Sequence, residues 1–160
     1  MLSLAISATA GAQSQREADA HGNFSRGTSS RSNAWGAGAQ VQLVWGASGA
    51  PVQLGTSLGG DYTKADDGPA QWNASADAVV QPGGGHSVTP YVGAGAGANW
   101  SSGSSAEWRR ARLGLDMLAG AQVKLGSRSS APNLKAEERF GYVRGQEHTL
   151  ATRLGIAVSF

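Results

Sequence analysis

The sequence predicts an all-β fold, an eight-stranded antiparallel up-and-down transmembrane β-barrel in one domain. Apolar residues recur at every second position along most of the 160 residues, which is the periodicity of β-strands. Glycine occurs 24 times, and charged residues make up only 15% of the chain, against about 25% in soluble domains. The last eight residues alternate strictly and end on an aromatic residue, Phe160.

Composition removes several other classes of protein. No run of 18 apolar residues is present, so a helical membrane protein is excluded. The chain has no cysteine and therefore neither disulfides nor thiolate metal sites. A net charge of +2 is too small to indicate nucleic-acid binding. We expect no cofactor, no metal and no nucleic-acid partner.

The N-terminus allows two interpretations. Apolar residues alternate with serine and threonine over residues 1–12, which predicts the first strand, followed by a long external loop over residues 13–33. An eighth strand is required because single-chain bacterial barrels have an even number of strands. Alternatively, Ala8-Thr9-Ala10 and Ala10-Gly11-Ala12 resemble signal-peptidase sites, so that residues 1–12 are the remnant of a signal peptide. The first strand would then lie in residues 14–24.

The seven other predicted strands each have one apolar and one polar face. In chain order they cover residues 35–45, 52–62, 72–80, 88–100, 112–125, 134–142 and 153–160. Alternating strand direction then divides the connections between the two ends of the barrel. The external connections are residues 63–70, 101–105 and 144–147, and the periplasmic ones are residues 46–50, 82–86 and 126–132.

The polar faces are predicted to point into the lumen, because they carry most of the charged residues of the strands. These residues are Asp61, Asp77, Arg112, Asp116, Lys124, Lys135, Glu137, Arg139 and Arg153. Buried charges persist when they are paired, and the lumen of an eight-stranded barrel is only wide enough for side chains to fill it. We therefore predict a lumen plugged by ion pairs. Glu138 departs from the apolar pattern of the opposite face and is expected near a rim.

Aromatic residues on the apolar faces predict two girdles. Trp35 and Trp45 are ten residues apart, which is about 25 Å in height for a strand tilted by about 40°. That height matches the lipid band of an outer-membrane barrel. The predicted outer girdle is Trp35, Tyr62, Trp72, Trp100 and Tyr142, and the inner one is Trp45 and Phe160.

The pattern formed by Gly155, Val158 and Phe160 resembles the C-terminal signal by which the insertion machinery recognises outer-membrane barrels. Together with residues 91–97 and 134–140, it makes the chain similar to the small eight-stranded barrels of Gram-negative bacteria, the OmpA transmembrane domain and OmpX class. The resemblance implies a monomer in the bacterial outer membrane. It also implies contacts with the insertion machinery, with outer-membrane lipid and lipopolysaccharide, and with an extracellular ligand through the external loops.

The function expected is that of an integral outer-membrane barrel with a structural or surface-interaction role and no catalytic residues. A lipid-directed enzyme would need a serine, a histidine and a carboxylate that converge at the outer rim. Only His148, next to Glu147, lies there, since His21 is in the predicted loop and His86 in a predicted turn. The same pattern is also compatible with a narrow pore, a soluble secreted ligand-binding barrel or a fragment of a larger export barrel.

Overall fold

The computed structural model describes residues 12–28, 32–47, 50–65, 69–84, 86–102, 111–127, 131–143 and 148–160. They form eight strands: β1 (Ala12–Gly27), β2 (Asn33–Ala47), β3 (Val52–Ala65), β4 (Ala70–Pro82), β5 (Val88–Ser101), β6 (Arg112–Lys124), β7 (Asn133–Val143) and β8 (Thr149–Ser159). Each strand pairs antiparallel with its neighbours in the chain, and β1 pairs with β8 to close the barrel. The predicted fold class is confirmed. Within the described residues, no helix has the length and apolar character needed to cross a bilayer.

The first strand is where the sequence prediction is wrong. The predicted external loop over residues 13–33 is largely β1, which contains the alternative strand over residues 14–24. Residues 1–11, and with them nearly all of the predicted first strand, lie outside the described residues. In the middle of β1 the outward residues are small, namely Ala18, Ala20 and Gly22, and the inward residues are polar. Its composition is therefore that of a loop, although it pairs with β2 from Ala12 to Arg26.

The register of the strands fixes the stagger of the barrel. A row of paired residues runs around it through Glu17, Gln42, Ser57, Asp77, Gly95, Asp116, Gly141 and Thr149. The row does not return to its starting point where β8 meets β1. There Glu17 pairs with Ser159, which is ten residues beyond Thr149 along β8. For eight strands this stagger corresponds to a tilt of roughly 40° from the barrel axis.

The two faces of the barrel have the polarity of a membrane protein. Large apolar side chains point outward and are exposed, for example Leu113 at 78% and Leu58 at 62%. Charged side chains point inward and are buried, for example Asp77 and Glu137, both at 3%. A soluble barrel has the reverse arrangement, with its apolar face inside, so the structure contradicts the soluble alternative.

Glycines on the inward face make room for the side chains that cross the lumen. A Cβ atom at Gly38 would lie 2.5 Å from Asp61 Oδ1 and 2.6 Å from His21 Nε2. At Gly120 it would lie 2.5 Å from the hydroxyl oxygen of Tyr91. Gly38 and Gly120 therefore allow large polar groups to approach the barrel wall closely.

Candidate functional site

The centre of the lumen is occupied by Arg139, which reaches from β7 to the opposite wall. Its Nη1 and Nη2 donate to the two carboxylate oxygens of Asp77 on β4, at 3.1 and 2.9 Å. Its Nε and Nη2 also lie 3.4 and 3.3 Å from Glu137 Oε1, and Asp116 Oδ2 is 3.7 Å from Nη1. A guanidinium that shares two bonds with one carboxylate is held in a fixed orientation, so Arg139 acts as a crossbar.

A second arginine, Arg153 on β8, forms hydrogen bonds with side chains on β7 and β3. Its Nη1 donates to Glu137 Oε1 at 3.0 Å, and its Nη2 donates to Asp61 on β3. Glu137 lies directly opposite Arg153 in the β7–β8 register. Glu137 also accepts a hydrogen bond of 3.0 Å from the Tyr91 hydroxyl. It is therefore shared by two arginines and a tyrosine.

His21 joins this group to a second cluster of charges. Its Nδ1 is 2.7 Å from Asp19 Oδ1, and its Nε2 is 2.9 Å from Asp61 Oδ1. A doubly protonated imidazole ring would donate to both carboxylates. Asp19 also accepts from Lys135 Nζ at 2.8 Å. Ion pairs and hydrogen bonds thus run continuously across the lumen.

The structure brings together most, but not all, of the predicted lumen charges. Those that are buried in one network are Asp61, Asp77, Asp116, Lys135, Glu137, Arg139 and Arg153. Lys135 joins the others through Asp19 and His21. Arg112 and Lys124 are exposed, because they are the first and last residues of β6. The alternation of the strand places both side chains on the inward face, but they lie at the ends of the barrel, where water solvates them.

The sequence prediction missed the charges of β1, because that segment was interpreted as a loop. Glu17, Asp19, His21 and Asn23 are all buried, at 4–7% exposure. Their strict alternation with Ala18, Ala20 and Gly22 is the signal that could have identified the strand.

With β1 included, the charge balance of the lumen changes. The prediction had five bases and four acids, whereas the buried groups of the described lumen are three permanent cations and six carboxylates, with His21 in addition. Glu17 is paired with an amide rather than a cation, since Asn133 Nδ2 donates to its Oε2 at 3.0 Å. The lumen is therefore rich in acids, and its three permanent cations are each shared among several groups.

Above the network, toward the ends of the strands that carry Trp72 and Trp100, the lumen opens into a cleft of about 740 Å³ that is continuous with solvent. Asn23, Asn73 and Asn99 line its wall, and the side chains of Arg139 and Arg153 contribute to its lining. Asn73 Nδ2 donates to Asn99 Oδ1 at 3.0 Å. Below these arginines, the space around His21 shrinks to about 190 Å³. The cleft is thus a vestibule above a packed lumen.

The predicted girdle residues lie at the two ends of the barrel. Those with exposed side chains are Trp35, Trp45, Trp72, Tyr142 and Phe160, whereas Tyr62 and Trp100 are partly exposed. Tyr62, Trp72 and Trp100 are cross-strand neighbours, and the rings of Tyr62 and Trp72 are 4.8 Å apart. At the other end, the Phe160 N–H donates to the Arg16 carbonyl oxygen at 3.1 Å. The sequence prediction missed Phe24, whose ring is 4.4 Å from that of Trp35.

The three histidines lie in different parts of the barrel. His148 stacks against Phe140 and Tyr142, with ring centroids 5.4 and 5.2 Å away, and Glu147 lies outside the described residues. His21 is buried in the lumen, and His86 lies in the β4–β5 connection at the opposite end from His148. Within the part of the chain that the structure describes, no histidine contacts both a serine and a carboxylate at the outer rim.

A closed barrel of eight strands, apolar outside and charged inside, defines the class of transmembrane β-barrels found in bacterial outer membranes. No protein-family model and no curated protein matches the sequence.

Solved structures match the fold. Neisserial surface protein A has a TM-score of 0.61 at 19% identity, over 94% of this chain and 98% of that one. Ail of Yersinia pestis has a TM-score of 0.64 at 14% identity, over 94% and 99%. The outer-membrane enzyme PagL has a TM-score of 0.51 at 14% identity, over 88% and 98%. The chain thus has the fold of the small outer-membrane barrels.

Proposed function

We propose that this protein is an integral outer-membrane barrel with a structural or surface-interaction role, whose lumen is closed by its own charged side chains. The observation that carries the proposal is the Arg139 crossbar, which reaches Asp77 on the far wall through two hydrogen bonds. An eight-stranded barrel has no room for a solvent channel beside such a crossbar.

Contact with the outer-leaflet lipid is part of this proposal. Arg26 and Lys64 are exposed on strands that flank Trp35, on the outward face and next to the aromatic girdle. Cations there would pair with anionic headgroups, such as those of lipopolysaccharide, while the aromatic rings contact the acyl chains. Ail has been crystallised with the heparin analogue sucrose octasulfate. For this chain, we propose that an extracellular ligand binds at the external loops.

A non-enzymatic role is also proposed. The fold alone does not decide this, because PagL is an enzyme with the same architecture. The support comes from His148, whose ring stacks against Phe140 and Tyr142 and contacts no carboxylate among the described residues. Unaltered lipid in cells that express the protein would be the expected result.

Replacing Glu137 with alanine tests the closed lumen. We expect a lower unfolding midpoint in detergent and a higher single-channel conductance in planar bilayers, because a carboxylate shared by two arginines is lost. The barrel should still fold, since Arg139 keeps Asp77 and Arg153 keeps Asp61. Lys124→Ala, at the exposed end of β6, is the matched control and should change neither quantity. Unchanged conductance for Glu137→Ala would contradict the proposal that this glutamate closes the lumen.

Deleting Phe160 tests the proposed recognition by the insertion machinery. The side chain is 73% exposed, so its loss should remove little packing. We expect a several-fold decrease of membrane-inserted protein in cells, while refolding of the purified chain into detergent is preserved. Western blots of membrane fractions and unheated gels of the refolded protein measure the two quantities. An equal loss in both assays would mean that Phe160 serves stability rather than recognition.

A further inference from the structure

Glu138 is the charged side chain that does not fit a lipid-facing wall. The other described charged residues with outward parity are Arg16, Arg26 and Lys64. Arg16 is opposite Phe160, whereas Arg26 and Lys64 are each one residue from the end of their strands. Glu138 is instead the central residue of β7 and is exposed. The expectation that it lies near a rim is wrong.

The depth of Glu138 follows from its distance to the girdle along the same strand. Tyr142 is four residues away, which corresponds to about 10 Å along the barrel axis at roughly 3.3 Å per residue and a tilt of roughly 40°. The carboxyl group therefore lies inside the apolar band. Its Oε1 accepts a hydrogen bond of 2.7 Å from the Thr152 hydroxyl, but Oε2 has no partner among the described residues. Ionisable groups at such positions usually mark a functional contact.

The side chains next to this carboxyl group are small. Ala119 faces Glu138 across the β6–β7 pair, and Ala136 faces Ala121 two residues further along. We call Ala119, Ala121, Ala136, Glu138 and Thr152 the Glu138 patch. Larger outward side chains surround it, namely Met117, Phe140, Leu150 and Leu154. The patch is thus a shallow polar depression in an apolar wall.

We propose that the Glu138 patch is the surface through which two copies of this chain associate in the membrane. A partner must present a hydrogen-bonding group at the depth of Glu138, and a second copy inserted in the same direction does so automatically. A twofold axis along the membrane normal brings the patch onto itself. Thr152 of one copy then lies near Glu138 of the other. Because the Thr152 hydroxyl already donates to Oε1 of its own Glu138, its oxygen can accept a hydrogen bond from Oε2 of the facing copy when that carboxyl group is protonated.

Strand geometry agrees with a small contact of this kind. Because β7 is tilted by roughly 40°, the strands of two facing barrels cross at a steep angle and touch only near the crossing point. Small residues at that point allow a close approach, and the polar pair provides hydrogen bonds in an apolar medium. The proposal departs from the monomer that the resemblance to small outer-membrane barrels implied.

The absence of cysteine allows a direct test in proteoliposomes with a short bifunctional maleimide. Ala136→Cys introduces a thiol in the patch, and Ala76→Cys is the matched control, outward and central on β4. We expect at least five times more cross-linked dimer for Ala136→Cys. Adding Glu138→Leu or Thr152→Val should reduce it to the level of the control, whereas Glu138→Gln should retain it, because an amide also forms hydrogen bonds.

Two results would overturn the proposal: equal cross-linking at positions 136 and 76, or cross-linking at 136 that persists in both Glu138→Leu and Thr152→Val. Cross-linking in cells to a different protein rather than to a second copy would also overturn it. The inference depends on the proposed membrane insertion. Unheated gels of every variant show whether the barrel is folded in the bilayer, which distinguishes a failure of insertion from a failure of association.

Discussion

Replacing Arg139 with alanine is expected to lower the free energy of unfolding by about 3–5 kcal/mol, the usual cost of removing one partner from a buried ion pair. Asp77, Glu137 and Asp116 would lose the cation that they share. Glu137 would keep Arg153, but among the described residues Asp77 and Asp116 would have no other cation within ion-pair distance. Urea unfolding of the purified barrel in lipid or detergent measures the change.

Arg112→Ala is the matched control for this prediction. Arg112 has the same inward parity and the same charge, but it is exposed at the first position of β6, so its loss should change stability by less than about 0.5 kcal/mol. A small effect for both variants would mean that water solvates Arg139 and that the lumen is not packed.

The second large effect is expected at neighbouring positions of β5. A Cβ atom at Gly95 would collide with the Ala76 carbonyl oxygen and the Asp77 side chain, so Gly95→Leu should prevent the barrel from closing. Ala94 points outward and is exposed, so Ala94→Leu should be tolerated. Ala94→Arg should cost about 2–4 kcal/mol near the middle of a bilayer.

The folded fraction in vesicles, measured on unheated gels, distinguishes these variants. A harmless Ala94→Arg together with a damaging Ala94→Leu would reverse the assignment of the two faces of the strand. Tolerance of Gly95→Leu would show that the wall near Asp77 can move to accept a side chain.

Strands β2 to β8 could be predicted because their outward faces carry leucine, valine or aromatic residues, whose alternation with glycine and polar residues is unmistakable. β1 lacks that signal. Ala18, Ala20 and Gly22 are small enough to be mistaken for loop residues, although in lipid they need only be apolar. The same error hid Asp19 and His21, and with them one half of the charge network.

The contacts within the lumen were less accessible to sequence reasoning. The alternation along the strands placed Arg139 and Asp77 on inward faces. Their pairing across 62 residues depends on the stagger of the strands and on the length of the arginine side chain. Height along the barrel is indicated in the sequence only by the aromatic girdles. β6 contains no aromatic residue, so Arg112 and Lys124 were assigned to a network that they do not join. For Glu138 the signal was present, because Tyr142 is four residues away on the same strand, and the expected rim position did not take it into account.

The pairing of β1 with β8 has a consequence for the assembly of the protein. Until residues 149–159 are in place, the edge of β1 presents unpaired N–H and C=O groups that could bind other chains. The Lys135–Asp19 ion pair links β7 to β1, and the Arg153–Asp61 pair links β8 to β3. Neither can form while the sheet is open. The cations of the last two strands therefore find these carboxylates only when the ring closes, so that neutralisation of the lumen and completion of the barrel are one event.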